Sequence, residues 1–139
     1  MKKGTLLHPQ LSQVIATLGH GQGLTIGDCG LPIGESVERI DLALTHGVPS
    51  FLDTLNVVLT ETCVEQVVIA EELENVSPDM YARLITRIEC LAEEQRKAVE
   101  VIKVPHETFK IQAEQSRAVV RTGECTPYAN IILKSGVVF

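Results

Sequence analysis

With 139 residues, 45% of them hydrophobic, the chain is long enough for one domain with its own core and too short for two. A formal net charge of −6 argues against the basic surface that nucleic acid or an anionic membrane would demand. No stretch approaches the roughly 20 apolar residues of a membrane span, and "MKKGTLLHPQ" lacks a sustained apolar signal core, so a cytoplasmic setting is expected. The segment "HPQLSQVIATLG" spaces Leu11, Ile15 and Leu18 as one helical face, with Pro9 in the first turn and Gly19 as the stop. "LTIGD" and "ERIDLAL" read as strands, and "PSFLDTLNVVLTE" as a helix opened by Pro49 with Phe51, Leu55 and Val58 inward. The β-branched "VVIAEE" is a buried strand, and the longest helix runs from Ser77 as N-cap and Pro78 through Leu84, Ile88 and Leu91. "VEVIKV", "HETFKIQAEQS" and "AVVRTG" follow as strand, helix and strand, and "YANIILKSGVVF" closes the chain in extended form. Alternation of this kind predicts a single three-layer α/β/α domain over residues 1–139, built on a central mixed, largely parallel sheet. A chain that stops on Phe139 is expected to dock that end in a core or an interface, which makes an oligomer plausible.

The stretch "LGHGQGLTIGDCGLP" places three glycines near the start of a strand, in imitation of a dinucleotide fingerprint. The context is reversed, with the helix before the glycines and the strand after them, so no helix N-terminus is available for a pyrophosphate. Cys29, Cys63, Cys90 and Cys125 form neither a C-x-x-C pair nor a zinc-type spacing with histidine. They read as small buried thiols, with no disulfide, metal or other cofactor expected.

His20 lies just past the C-terminus of the first helix, and His106 opens a later helix after Pro105. The two rings sit in opposite helix-end fields, an arrangement in which one can donate a proton while the other only hydrogen-bonds. A surface or capping role is the plainer reading of either ring alone, and His8 and His46 receive it outright. Asp28 ends an apolar strand before the turn-like "CGLP", where α/β domains bind ligands. It could accept two sugar hydroxyls, orient a base or simply cap its own turn. Asp41 reads as a solvated or salt-bridged position, and the acidic runs at 70–72 and 92–97 read as solvated element ends. In "CTPYANIIL", Pro127 favours an extended chain, which would put Tyr128 and Asn130 on one face and Ala129 on the other. That face could hold a hydroxylated ligand or could be a strand edge in water.

Together "MKKGTLLHP", "LGHGQGLTIGDCGLPIG", "RIDLALTHGVPSFLDTLNVV", "HETFK" and "RTGECTPYANIILKSGVVF" resemble the ribose pyranase and fucose mutarotase family, on its ribose side. The resemblance spans essentially the whole chain and is least distinctive from about Val64 to Val104. It implies a cofactor-independent isomerase that interconverts the β-pyranose and β-furanose rings of D-ribose. By similarity, His20 is the proton donor, while Asp28, His106, Lys110, Tyr128, Ala129 and Asn130 hold the sugar. The family also implies a homodecamer of two stacked pentameric rings. Two other readings stay open: a mutarotase for another sugar such as fucose, and a non-catalytic sugar-binding accessory protein.

Overall fold

The computed structural model describes residues 1–139 and contains five helices and six strands. In chain order these are α1 (Pro9–Thr17), β1 (Gly23–Gly27), β2 (Glu38–Asp41), α2 (Phe51–Leu59), β3 (Val64–Ala70) and α3 (Glu72–Val76). They continue with α4 (Pro78–Gln95), β4 (Glu100–Val104), α5 (His106–Ala113), β5 (Ala118–Arg121) and β6 (Ile131–Ser135). The strands form one sheet in the order β2-β5-β1-β6-β3-β4. Pairs β2–β5, β5–β1 and β3–β4 are parallel, and β6 runs antiparallel to both of its neighbours. The expected α/β sheet, mixed and largely parallel, is therefore the one observed.

Pleating distributes the apolar residues between two cores. Leu24 and Ile26 of β1, Val120 of β5, and Ile131 and Leu133 of β6 face a large core shared with α1, α2 and α4. Leu11, Val14, Phe51, Leu55, Val58, Leu84, Ile88 and Leu91 fill it from the helical side. The alternate positions Val68, Val119 and Ile132 face a smaller core capped by Phe109 and Ala113 of α5 together with Leu31 and Val37. Each of the fully buried large side chains contributes about 1.5–3 kcal/mol of transfer free energy.

Several local expectations change. Helix α2 starts at Phe51, with Ser50 rather than Pro49 as its cap, because the Ser50 hydroxyl accepts the Asp53 N–H at 3.1 Å. Ser77 stands before Pro78 but caps nothing with its side chain, and its hydroxyl instead donates to the Pro127 carbonyl at 3.0 Å. His8 is more than a loop residue, since its Nδ1 accepts the Leu11 N–H and caps α1. The short helix α3 was not legible as an element, its acidic start having been read as a solvated strand end. None of the four cysteines is fully buried: Cys90 and Cys125 are exposed, and the Cys29 and Cys125 sulfurs lie 3.7 Å apart. At the C-terminus Phe139 is 95% exposed, so the chain's own core does not receive it.

Candidate active site

Parallel strands deliver their C-terminal ends to one edge of the sheet, and most of the expected sugar-binding residues gather there. Asp28 follows directly on β1, His106 follows β4 after one proline, and Asn130 immediately precedes the antiparallel β6. The register explains the meeting, since Ile26 pairs with Ile131, Ile69 pairs with Ile131 from the other side, and Ala70 pairs with Val104.

Asp28 and Asn130 bind each other reciprocally. The Asn130 Oδ1 accepts the Asp28 backbone N–H at 2.8 Å, and the Asn130 Nδ2 donates to the Asp28 Oδ2 at 3.0 Å. This fixes the carboxamide orientation, because a backbone N–H can only meet an oxygen. The Asp28 Oδ1 accepts the Gly30 N–H at 2.9 Å, so Asp28 caps its own turn with one oxygen and meets Asn130 with the other. Gly27 makes this approach possible: a Cβ there would lie 2.6 Å from the Leu31 Cδ2 and 2.9 Å from the Asn130 Oδ1.

The expected extended conformation of Tyr128 is not observed. Residues 126–129 form a tight turn, with Tyr128 at φ +63°, the Ala129 N–H donating to the Thr126 carbonyl at 3.3 Å, and the Asn130 N–H to the Tyr128 carbonyl at 2.8 Å. Pro127 is the second residue of that turn, and the proline rule bears only on Thr126 before it, not on Tyr128 after it. Ala129 and Asn130 are consequently both buried, and Tyr128 stands apart from them at the surface of the large core. Its ring meets His106 edge-on, with centroids 5.0 Å apart. The His106 Nδ1 is buried without a hydrogen-bond partner in the chain, while its backbone N–H donates to both Glu72 carboxylate oxygens at 3.0 Å. Lys110 lies one turn along α5 on the same side as His106, with its Nζ 2.7 Å from the Glu107 carboxylate.

Two carboxylates missed by the sequence reading support this edge. Glu72 caps α5 and so sets the position of His106, and its place directly after a strand end was the only available signal. Glu124 braces the turn leading to Tyr128. Its Oε1 accepts the N–H groups of Cys125 and Thr126, each at 3.1 Å, and the Thr126 hydroxyl at 2.8 Å. The Oε2 accepts the Phe51 N–H at 3.2 Å. Burial opposes ionisation of Glu124, but these hydrogen bonds outweigh it and hold the carboxyl below its usual range. Asp41, read as salt-bridged or solvated, pairs with Arg121 at 3.1 Å, and the same guanidinium holds the Cys29 carbonyl at 3.0 Å.

His20 is not part of this cluster. It occupies the turn between α1 and β1, at the opposite edge of the sheet, and that turn is fastened to the end of β6. The Gly21 N–H donates to the Ser135 carbonyl at 2.8 Å, the Ser135 N–H to the Gln22 carbonyl at 2.9 Å, and the Ser135 hydroxyl to the Gly19 carbonyl. Gly21, at φ +75°, supplies the left-handed residue that the turn requires. The imidazole Nε2 lies 2.8 Å from the Glu65 Oε2 on β3. Strand β1 separates this turn from Asp28 by roughly 16 Å at about 3.3 Å per residue. The "GHGQG" segment therefore does not fold back over the Asp28 edge.

Known proteins match the chain along its full length. A D-ribose pyranase of Vibrio parahaemolyticus is 57% identical, and one of Haemophilus influenzae 59% identical, each over 139 residues covering 100% of both chains. Among solved structures, that of Bacillus subtilis RbsD complexed with D-ribose superposes with a TM-score of 0.86 at 40% identity, again over 100% of both chains. The sequence pattern of the RbsD / FucU transport protein family spans residues 1–138, and the chain belongs to that family.

Proposed function

We propose that this chain is a sugar ring isomerase that interconverts the β-pyranose and β-furanose forms of D-ribose. Asp28, His106, Lys110, Tyr128, Ala129 and Asn130 hold the sugar, and His20 supplies the proton. The observation that carries the reading is the set of polar groups at the C-terminal edge of the sheet, where Asp28 and Asn130 pair with each other and the His106 Nδ1 is buried without a partner. Relatives at 57–59% identity bear the name D-ribose pyranase, which supports ribose over other sugars.

The chemistry needs only proton carriers. Protonation of the pyranose ring oxygen, with loss of the anomeric hydroxyl proton, releases the open-chain aldehyde. Closure through the neighbouring hydroxyl then gives the furanose, with one proton taken up and one released at each step. A positioned acid or base contributes on the order of 10²- to 10⁴-fold, and histidine suits the role because its ordinary pKa of about 6.5 lies near neutrality. Hydrogen bonds from Asp28, Asn130 and His106 fix which ring atoms face the proton carrier.

A ribose molecule cannot reach both edges of one sheet, so each site takes His20 from one chain and the remaining residues from the next. Apolar surface lies beside both halves. Val138 and Phe139 are 87% and 95% exposed on the tail that leaves β6 past Ser135 and is held by Cys63 and Lys97, and Leu44 is 81% exposed beyond β2 at the Asp28 edge. Such surface fits a contact between copies, in line with the decamer of two pentameric rings. No helix is long and apolar enough to cross a membrane, and we assign the enzyme to the cytoplasm as one domain over residues 1–139.

Magnetisation-transfer NMR between ribose anomers, with a fucose control, tests the activity. The protein should accelerate ribose exchange, and His20→Ala should remove most of that acceleration while ribose still binds. Near wild-type exchange in His20→Ala would overturn the assignment. Mixing His20→Ala and Asn130→Ala subunits before reassembly tests the shared site. Random pairing leaves about one quarter of the interfaces with two intact halves, so exchange should return to about that fraction. Mixtures as inactive as either parent would show that each chain builds its own site.

A further inference from the structure

The proposed proton carrier has one polar side-chain neighbour that the reaction has not yet used. The Glu65 carboxylate, from the strand beside β6, lies 2.8 Å from the His20 Nε2. A carboxylate has no proton to give, so in this contact the Nε2 is the donor. The remaining nitrogen, Nδ1, is then the one free to exchange a proton with another molecule. The backbone on either side of His20 is already fixed. Gly19 and Gln22 close on each other through the Gln22 side chain and backbone, and Gly19, Gly21 and Gln22 are all tied to Ser135. With the main chain anchored, the imidazole retains only its side-chain rotations, and Glu65 restricts those.

We infer that Glu65 is a positioning residue: it holds the Nε2–H tautomer of His20 and turns the Nδ1 outward as the proton-transferring atom. This rests on the reading of His20 as the proton donor. An ion pair this exposed, with 60% and 46% of the two side chains accessible, adds little to folding stability. Its effect is orientation, and that effect grows when a neighbouring chain covers the pair and excludes water. The geometry is that of a base held in one tautomer by an acceptor-only partner, as in hydrolase triads.

The test uses the assembled full-length protein with Glu65→Gln, Glu65→Asp, His20→Ala and the double variant His20→Ala/Glu65→Gln. Glutamine has the same shape but can present either an acceptor or a donor to the Nε2, so it no longer dictates the tautomer. Ribose exchange at saturation should fall about tenfold in Glu65→Gln, while the half-saturating ribose concentration changes less than about twofold. Glu65→Asp, which keeps an acceptor-only group, should recover part of the loss. Adding Glu65→Gln to His20→Ala should cause no further loss, because a residue acting through His20 has nothing left to act on. Nitrogen-15 NMR of the histidine side chains should assign His20 to the Nε2–H tautomer in the wild type and to a mixture in Glu65→Gln. Unchanged exchange in Glu65→Gln, an equal loss in both backgrounds, or an Nδ1–H tautomer in the wild type would each overturn the inference. Failure of the underlying reading is separable: His20→Ala would then retain exchange, and the positioning role would fall with it even if the tautomer were held.

Discussion

Glu124→Gln should destabilise the protein in a way that depends on pH. The carboxylate accepts four hydrogen bonds, three on one oxygen and one on the other, from groups including the N-terminal N–H of α2. Glutamine cannot satisfy all of them. With its oxygen kept towards Thr126, its amide group must face the Phe51 N–H, donor against donor, and the negative charge at the start of α2 disappears. Hydrogen bonds to a charged group are worth about 1.5–3 kcal/mol when buried; Glu124 is only half-buried, and discounting for solvent screening leaves about 1–2 kcal/mol in total. For a chain of this length that corresponds to a fall in Tm of about 3–7 °C. The sign of the pH dependence follows from the lowered carboxyl pKa. The contribution is fully present above the unfolded-state value of about 4.3 and is lost as pH falls through the still lower folded value. Thermal unfolding of wild type and variant at one fixed protein concentration, followed from pH 7 downwards, should show the gap closing below about pH 4.3. A gap of constant size across that range would refute the assignment of the effect to the charged carboxylate.

Gly27→Ala should keep the fold but displace the Asn130 carboxamide, weakening ribose binding by about tenfold, and calorimetry beside an unfolding curve would separate the two effects. His106→Ala and Asn130→Ala should each weaken binding by roughly 0.5–1.5 kcal/mol, and by more for Asn130 because its loss takes the partners of both the N–H and the Oδ2 from the half-buried Asp28; unchanged affinity in both would remove them from the pocket. Ribose exchange should survive exhaustive chelation, and activity lost to a chelator and restored by one metal would contradict the proton-only scheme.

The elements were legible where a single period decides them. Helices α1, α2 and α4 carry apolar spacings that the core confirms, and the β-branched runs became the central strands. What escaped was set by contacts between distant segments. Proline rules constrain only the neighbouring backbone, so they could not show that Tyr128 adopts a positive φ in a turn braced by Glu124 and packed beside His106. The acidic residues at 70–72 looked like solvent-facing ends, because only the folded sheet brings Glu72 against the first N–H of α5. The cysteines escape for the opposite reason: a typical preference for burial does not hold for Cys29, Cys63 and Cys125 in loops or for Cys90 on the outer face of α4, and all four remain at least partly accessible. Among the expected site residues, Asp28 and Asn130 meet directly, as do His106 and Tyr128, and His20 is left at the far edge.

That separation follows from the direction of one strand. Because β6 runs against its neighbours, its first residues lie at the C-terminal edge of the parallel strands and its last residues at the other edge. Asn130 enters it beside Asp28, and Ser135 leaves it beneath the His20 turn. One strand therefore anchors both halves of the proposed site and, with β1, keeps them roughly 16 Å apart, farther than a pentose can span. Bringing the halves of a single chain together would require breaking the register of the most buried strand pair in the sheet. Repeating the chain requires no such change. A contact that joins the His20 edge of one copy to the Asp28 edge of the next uses two different surfaces, so it is heterologous, and a succession of such contacts leaves no half-site unfilled once it closes on itself. Under the proposed mechanism a solitary chain would carry a proton donor with no sugar in reach and a sugar site with no donor. The ring would then be a condition of activity as well as an outcome of folding.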